Sequence, residues 1–194
     1  MRGERIMAEA SEEHSFQVRI PRERVAVIIG KEGESKRQIE SVGEVKLSIQ
    51  SDTGDVTIIQ KGDPLKANIT ASVIQAIGRG FSPLNATLLY EENHQLIVIS
   101  LRDFAKPGSR RMDQIRARLI GTGGKTRKVV EELTSTHISI YGDTVSIIGD
   151  YVAVEYAKEA MNMLINGSKQ RTVYTFLEKS ARELRLRRIE ESFG

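Results

Sequence analysis

Cysteine is absent from the 194 residues of this chain. Disulfide bonds and thiolate metal sites are therefore excluded, and a reducing compartment fits the composition. Aromatic residues are also scarce, at 5%. Folds that bind nucleic acids by stacking bases on tyrosine or phenylalanine depend on such residues, so stacking is not the expected mode of any base recognition here.

Long apolar runs are lacking as well. No stretch approaches the roughly 18 apolar residues of a membrane-spanning helix, and the N-terminus has no apolar segment of the signal-peptide kind. We therefore expect no membrane association and a cytoplasmic location. Residues 1–13 contain several acidic residues and no apolar periodicity, and they are predicted to form a flexible leader.

Charge is unevenly distributed along the chain. The net charge is only +3, but the segment from Arg102 to Lys128 has nine basic residues against two acidic ones, a local charge of +7. A basic segment of this kind is the usual electrostatic footprint of a polyanion-binding surface.

An internal repeat organises most of the sequence. When Gly30 is placed on Gly121, the apolar pair at 28–29 falls on the pair at 119–120, and VKLSIQ at 45–50 falls on THISIY at 136–141. VTIIQ at 56–60 then matches VSIIG at 145–149 with a shorter turn in the second copy. The chain is therefore interpreted as a tandem duplication.

Each copy predicts the same order of elements: strand, helix, glycine loop, helix, strand, strand, helix. FQVRI at 16–20 alternates apolar and polar residues, whereas LIVIS at 96–100 is continuously apolar and is predicted to be a more fully buried strand. Residues 172–191 have the apolar spacing of an amphipathic helix, which we expect to dock on its own chain rather than on a partner.

Two functions were considered for the glycine loops GKEG at 30–33 and GTGG at 121–124. GTGGKT ends like a nucleotide-binding loop, but the first glycine of that motif would fall on Leu119, and RARLI before it is predicted to be helical. A helix–GxxG–helix junction fits better. Its glycines let a sugar-phosphate backbone approach the main chain, and the following helix presents amide groups and partial positive charge to phosphate.

The order of elements and the loops IIGKEG and LIGTGG resemble type I KH domains, over residues 14–167. The stretch from GTGGKTRKVVEEL to VSIIG, with NGSKQRTVYTFLE after it, is similar to the pre-rRNA-processing KH proteins of the Dim, or partner-of-Nob, family. This resemblance implies an α+β fold of two tandem type I KH domains, each β-α-α-β-β-α, with a short linker helix and a C-terminal amphipathic helix. The implied segments are KH domain 1 at 14–81, a linker helix at 82–94, KH domain 2 at 95–167 and a C-terminal helix at 168–194.

The resemblance also implies a function. KH loops clamp about four nucleotides of single-stranded nucleic acid. In this family the protein binds near the 3′ end of small-subunit ribosomal RNA and works with the Nob endonuclease that matures that end. We therefore expect single-stranded RNA as the main partner, the Nob-type endonuclease and other ribosome or translation factors as further partners, and neither a cofactor nor a metal.

The predicted RNA-binding residues lie in and after the two loops. In the second copy they are Arg116, Arg118, Ile120, Gly121, Thr122, Gly123, Gly124, Lys125, Thr126, Arg127 and Lys128. In the first copy they are Ile29, Gly30, Lys31, Glu32, Gly33, Lys36 and Arg37. Ile29, Ile120, Ile138 and Ile140 are candidates for the apolar wall or floor of a base-binding groove, with a plain core role as the alternative.

The two copies are not expected to contribute equally. Glu32 and Glu34 in or beside the first loop would repel phosphate, whereas the second loop has no acid and is followed directly by Lys125. Catalysis is not expected, because the three histidines lie on different elements and Glu131–Glu132 is interpreted as a charged helix face. The alternative function is a protein-interaction adaptor with little RNA binding, since a fold alone does not fix function.

Overall fold

The computed structural model describes residues 14–193, so the predicted leader at 1–13 lies outside the described residues. The first unit has the predicted order of strand, helix, glycine loop, helix, strand, strand and helix. Its elements are β1 Ser15–Arg19, α1 Val25–Ile29, α2 Glu34–Gly43, β2 Val45–Gln50, β3 Asp55–Gln60 and α3 Pro64–Gly78. A single 3₁₀ turn, Arg22–Arg24, precedes α1, where the sequence had predicted a longer helix.

The second unit repeats this order. Between the units, α4 Pro83–Ala86 and a 3₁₀ turn, Thr87–Tyr90, form the predicted linker helix. The elements of the second unit are β4 His94–Ser100, α5 Arg110–Ile120, α6 Lys125–Thr134, β5 His137–Tyr141, β6 Thr144–Asp150 and α7 Tyr151–Ile165, and α8 Gln170–Phe193 follows. The mixed α+β fold is confirmed.

Both sheets are antiparallel, and in each the last strand lies in the middle. The strand orders are β1-β3-β2 and β4-β6-β5. Val18 pairs with Val56 in the first sheet, and Val98 pairs with Ser146 in the second. The alternating apolar residues of each strand therefore reach one face, which the helices cover.

β4 is more buried than β1, as predicted, but none of its residues is fully buried. Every residue of β4 is only half-buried, whereas β6 is buried along its central five residues. β4 has apolar residues on both faces because Ile97 and Ile99 pack on the core of the second unit, whereas Leu96 packs on the core of the first. It stays half-exposed because it is an edge strand, paired on one side only.

The first unit covers the outer face of the second sheet. Ile148 of β6 is fully buried within the core of the first unit. The hydroxyl of Ser139 donates to the carbonyl of Arg79 at 2.8 Å, and the hydroxyl of Tyr141 donates to Glu23 at 2.7 Å. Burial of apolar surface stabilises a contact by roughly 25 cal/mol per Å², so Ile148 contributes to the packing of one unit on the other.

The terminal helix docks on its own chain, as predicted. α8 packs against α6 and α7. Val173 and Leu177 are fully buried in the core of the second unit, and Ala181 and Leu184 continue the same stripe. The apolar spacing of 172–191 thus correctly predicted an intramolecular face for the helix.

Candidate nucleic-acid interface

The second glycine loop, Gly121–Gly124, connects α5 to α6 through a backbone that side chains rarely adopt. The φ angles of Gly121, Gly123 and Gly124 are 73°, 59° and 79°. A Cβ atom on Gly121 would lie 2.2 Å from the hydroxyl oxygen of Thr126, so glycine is required there for space as well as conformation. Around Gly123 and Gly124 the space is open, and a ligand can approach the main chain.

The helices that follow the loops are not capped by side chains. The N-cap residues of α2 and α6 are Gly33 and Gly124, and neither supplies a side-chain acceptor to the first turn. By contrast, the N-cap side chains of α3, α5 and α7 each accept a hydrogen bond from a first-turn amide; they are Asp63, Ser109 and Asp150. The N–H of Lys125 donates to the carbonyl of Thr122, and no side chain caps the first turn of α6. The positive end of the helix dipole at this turn favours an external anion such as phosphate.

Two lysines on α6 complete this surface. Lys125 and Lys128 are exposed, and neither has a hydrogen-bond or ion-pair partner among the side chains that the structure describes. Unpaired ammonium groups beside an uncapped helix start can neutralise phosphate without first breaking an internal contact.

Arg127 has a different environment from these lysines. Its Nε lies 3.8 Å from a carboxylate oxygen of Glu131, and its Nη1 donates to the carbonyl of Ile138 on the edge strand β5. Glu131 also accepts the backbone N–H of Ile138 at 2.7 Å. Arg127 and Glu131 therefore connect α6 to β5. Glu131 thus makes a structural contact, whereas the sequence indicated only a charged position on the helix face.

The first unit has the same contacts between the helix after its loop and its edge strand β2. Glu40 accepts the backbone N–H of Leu47 at 2.8 Å, and Lys36 lies 3.8 Å from Glu40. The basic residue one turn after each loop is thus engaged with its own helix. The prediction that Lys36 and Arg127 contact RNA stays untested, and the structure assigns both a structural contact.

Arg116 and Arg118, on the helix before the second loop, are also engaged within the protein. Arg116 Nη2 lies 2.5 Å from Asp143, in the turn between β5 and β6, and a second arginine, Arg102, binds the same carboxylate at 3.1 Å. Arg118 donates to the carbonyl of Leu164 at the end of α7. Of the basic residues predicted at the second loop, only Lys125 and Lys128 are free within the described chain.

Thr126 was predicted to contact RNA, and this prediction stays untested, but the structure assigns the side chain a structural contact. Its side chain is 1% exposed and fills the space beside Gly121. The amide of Gln170, the first residue of α8, donates to the Thr126 hydroxyl at 2.9 Å. Gln170 was not among the predicted residues, because it lies 44 positions from Thr126 and outside the repeat.

The first loop has nearly the same backbone but a different surface. Gly30 and Gly33 have φ angles of 70° and 78°, and Glu32 lies at φ 51°, where the second loop has Gly123. Arg37 folds back over the loop and donates to the carbonyl of Glu32 at 2.8 Å. Lys31 is exposed and has no partner among the described residues. Within that part of the chain, the first loop therefore offers one free cation beside exposed Glu32 and Glu34.

The four isoleucines predicted to line a groove have different environments. Ile138 is 2% exposed and packs in the core, so the alternative interpretation holds for this residue. Ile29 and Ile140 are half-buried. Ile120 is 38% exposed immediately before the second loop, and this residue can meet a ligand there.

Among the side chains that the structure describes, no group of three or more histidine or acidic residues is arranged to hold a metal ion. In the same range, no helix combines the length and the apolar character needed to cross a membrane.

Comparison with known proteins identifies the family of this chain. A family model of the second KH domain of Pno1 proteins, described as a eukaryotic-type KH domain (KH-domain type I), matches residues 95–182. A KH domain-containing protein of Methanocaldococcus jannaschii is 36% identical over 189 residues, which are 95% of this chain and 82% of that protein. A chain in the solved structure of an a/eIF2alpha–aDim2p–rRNA complex from Pyrococcus horikoshii matches with a TM-score of 0.84 and 38% identity, covering 90% of this chain and 98% of the other. The chain belongs to the Pno1/Dim2 family of KH-domain proteins.

Pno1 proteins of eukaryotes are longer. The pre-rRNA-processing protein pno1 of Schizosaccharomyces pombe is 27% identical over 138 residues, which are 71% of this chain and 54% of that protein. The chain thus spans about half of that relative. The family model covers the second unit and the start of α8, whereas the classification of the first unit as a KH domain stays our prediction from its matching order of elements and strands.

Proposed function

We propose that this Pno1/Dim2 family member binds single-stranded ribosomal RNA, with the second glycine loop as the main contact. The observation that carries the proposal is the open Gly121–Gly124 loop, which has an uncapped helix start and two unpaired lysines, Lys125 and Lys128, beside it. Phosphate oxygens are the acceptors that this arrangement fits. The likeness to an aDim2p chain solved with rRNA supports the same ligand.

The RNA segment that we propose is the region near the 3′ end of small-subunit rRNA, where binding would assist maturation of that end. The S. pombe relative is named as a pre-rRNA-processing protein, which supports a role in ribosome assembly. We further propose that the chain is a cytoplasmic non-enzymatic factor and that cleavage is performed by a Nob-type endonuclease that acts with it.

The first test compares loop variants in titrations with a single-stranded RNA oligonucleotide. Thr122→Asp combined with Gly123→Asp puts two acids into the second loop. The fold should tolerate both, because Thr122 is exposed, the space around Gly123 is open and Glu32 occupies the equivalent position of the first loop. Lys31→Asp is the matched variant of the first loop.

We expect the second-loop variant to lose at least about tenfold in affinity and the Lys31 variant to lose less, because phosphate contacts dominate such binding. A greater loss in the first-loop variant would refute this ranking. An adaptor that binds proteins instead of RNA would show weak RNA affinity with almost no salt dependence, whereas several phosphate contacts give a steep one.

The choice of RNA is tested separately. We expect an oligonucleotide with the 3′-terminal sequence of small-subunit rRNA to bind more tightly than a scrambled oligonucleotide of the same composition. Equal binding would leave the RNA-binding proposal standing and overturn the proposed target.

A further inference from the structure

A cavity lies at the seam between the two units, outside the second loop. Its volume is about 310 Å³, and residues of both units line it: Arg79, Val98, Ser100, Arg102, Asp143 and Thr144. Arg79 follows α3 of the first unit, and the other residues come from β4, β6 and the turns beside them. The cavity is therefore a product of the packing of one unit on the other.

The cavity has an excess of positive charge. Arg79 is half-buried, and within the described residues no acceptor binds its guanidinium. The single carboxylate of the lining, on Asp143, is already bound by Arg102 at one oxygen and by Arg116 at the other. A half-buried guanidinium without an internal acceptor is suited to an external anion.

Hydroxyl groups accompany these arginines. Ser100 Oγ accepts the backbone N–H of Arg102, so its own proton is free to be donated. A guanidinium fork with a neighbouring hydroxyl is a suitable set of donors for the oxygens of a phosphodiester.

The cavity is connected to the second loop through Asp143. This carboxylate joins Arg102, at the seam, to Arg116 on α5, which precedes Ile120 and the loop by about one helical turn, roughly 6 Å along the axis. On the other side, Arg79 also lines a cavity of about 370 Å³ in the first unit, between β1 and α3, together with Gln17, Arg19 and Gln75. The two cavities thus share Arg79, and Asp143 joins the seam to α5, the helix that ends at the second loop.

We propose that the seam cavity binds a backbone phosphate of the same single-stranded RNA that the second loop holds, with Arg79 as the principal contact. This inference rests on the proposed function. It adds a binding site that neither loop contains, and it gives the first unit a part in RNA binding that does not depend on its own glycine loop.

The test uses RNA length as the variable. An oligonucleotide of about five nucleotides fills one loop, since such a loop clamps about four. One of about fifteen nucleotides is long enough to reach the seam as well. Arg79→Gln removes the charge and leaves the backbone carbonyl that Ser139 binds. Lys179→Gln, at an exposed and unpaired lysine of α8, is the control with the same change in net charge.

We expect Arg79→Gln to weaken binding of the long RNA about five- to tenfold and to lower its salt slope by about one, with the short RNA unaffected. Arg79→Lys should recover part of the loss, and Lys179→Gln should change the binding of neither RNA.

Unchanged binding of the long RNA by Arg79→Gln would overturn the proposal and favour an acidic protein segment as the ligand of this cavity. An equal loss for both lengths would also overturn it, because the change would then act through the second unit itself. Both outcomes differ from a failure of the proposed function. In that case, the variant with Thr122→Asp and Gly123→Asp would bind both RNAs with the affinity of the unmodified protein.

Discussion

The side-chain amide of Gln170 donates a hydrogen bond to the hydroxyl of Thr126 at 2.9 Å, and this contact joins the C-terminal helix to the base of the second glycine loop. Thr126 is buried against Gly121, so its position determines how the loop leaves α5. The first unit has Ser35 at the equivalent place. The terminal helix α8 is therefore a support for the loop as well as a cover for the core.

We predict that Gln170→Ala lowers RNA affinity about two- to fivefold without removing a phosphate contact. Loss of the hydrogen bond costs about 1 kcal/mol and frees the loop to move. Since no cation is lost, the slope of log affinity against log salt should stay the same, whereas it would fall for a lysine that touches phosphate. The measurement is fluorescence anisotropy at several salt concentrations.

Lys169→Ala is the control for this experiment, because Lys169 is adjacent, exposed and unpaired within the described residues. Affinity equal to that of the unmodified protein in Gln170→Ala would contradict a supporting role. A reduced salt slope would instead indicate that Gln170 acts as a direct RNA contact.

These contacts mark the limit of prediction from sequence. Glycine spacing and periodicity are local signals, so the loops at Gly30 and Gly121 and the order of elements could be predicted. The pairing of Arg116 with Asp143 joins residues 27 positions apart, and the burial of Thr126 depends on a helix 44 positions away. Such tertiary contacts decide which basic residues stay free, and charge counting along the chain does not contain that information.

A second prediction concerns the carboxylate that ties α6 to β5. Glu131→Ala removes the acceptor of the Ile138 N–H and the partner of Arg127. We expect the free energy of unfolding to fall by about 1–2 kcal/mol, because a partly buried donor loses its partner. Urea denaturation followed by circular dichroism measures this change.

The neighbouring Glu132 offers a matched control, since it is exposed on the same helix. Glu132→Ala should change the stability by less than about 0.5 kcal/mol. Glu40→Ala, in the first unit, should resemble Glu131→Ala, because Glu40 makes the same contact with Leu47. If Glu131→Ala and Glu132→Ala were equally stable, the contacts of Glu131 with Ile138 and Arg127 would make no contribution to stability.

The contact between the two units should depend on pH. The hydrogen bond from Tyr141, and then one from the backbone N–H of Glu23, lower the pKa of the Glu23 carboxyl from its ordinary 4.5. A folded-state pKa below the unfolded value stabilises the fold above about pH 4.5, and this stabilisation is lost as the pH falls through the lowered pKa. The same bond raises the pKa of Tyr141, so the corresponding loss in alkali occurs as the pH rises through that raised value, above 10.

We therefore predict that Tyr141→Phe is less stable than the unmodified protein at pH 7 and that the difference narrows at about pH 3.5. The phenyl ring keeps the contact with the Arg24 guanidinium, which lies 5.8 Å from the ring centre, so the hydroxyl alone is tested. Thermal unfolding at both pH values provides the comparison. Tyr174→Phe, which removes a hydroxyl without a partner in the described structure, should show no such pH dependence. If the stability difference between Tyr141→Phe and the unmodified protein were the same at both pH values, protonation of Glu23 would not be linked to the stability of this contact.

The last prediction concerns the difference between the two loops. Glu32 has a φ of 51°, which costs an ordinary residue about 1–2 kcal/mol, and it places a negative charge where the second loop has Gly123. Glu32→Gly relieves the strain and removes the charge, while the extra freedom of glycine in the unfolded chain offsets about 0.5–1 kcal/mol. The net stability should change by less than about 1 kcal/mol, so any change in RNA binding reports on the loop surface.

This substitution is most informative when the second loop is disabled by Thr122→Asp and Gly123→Asp. In that background we expect Glu32→Gly to restore part of the RNA affinity, because the first loop then presents Lys31 without an acid in the loop. Glu32→Gln keeps the strained backbone and removes only the charge, so it should restore less. If neither variant gains affinity, the acid is not what limits the first loop. The cover formed by Arg37 over the carbonyl of residue 32 would then be the cause, since both variants retain that carbonyl.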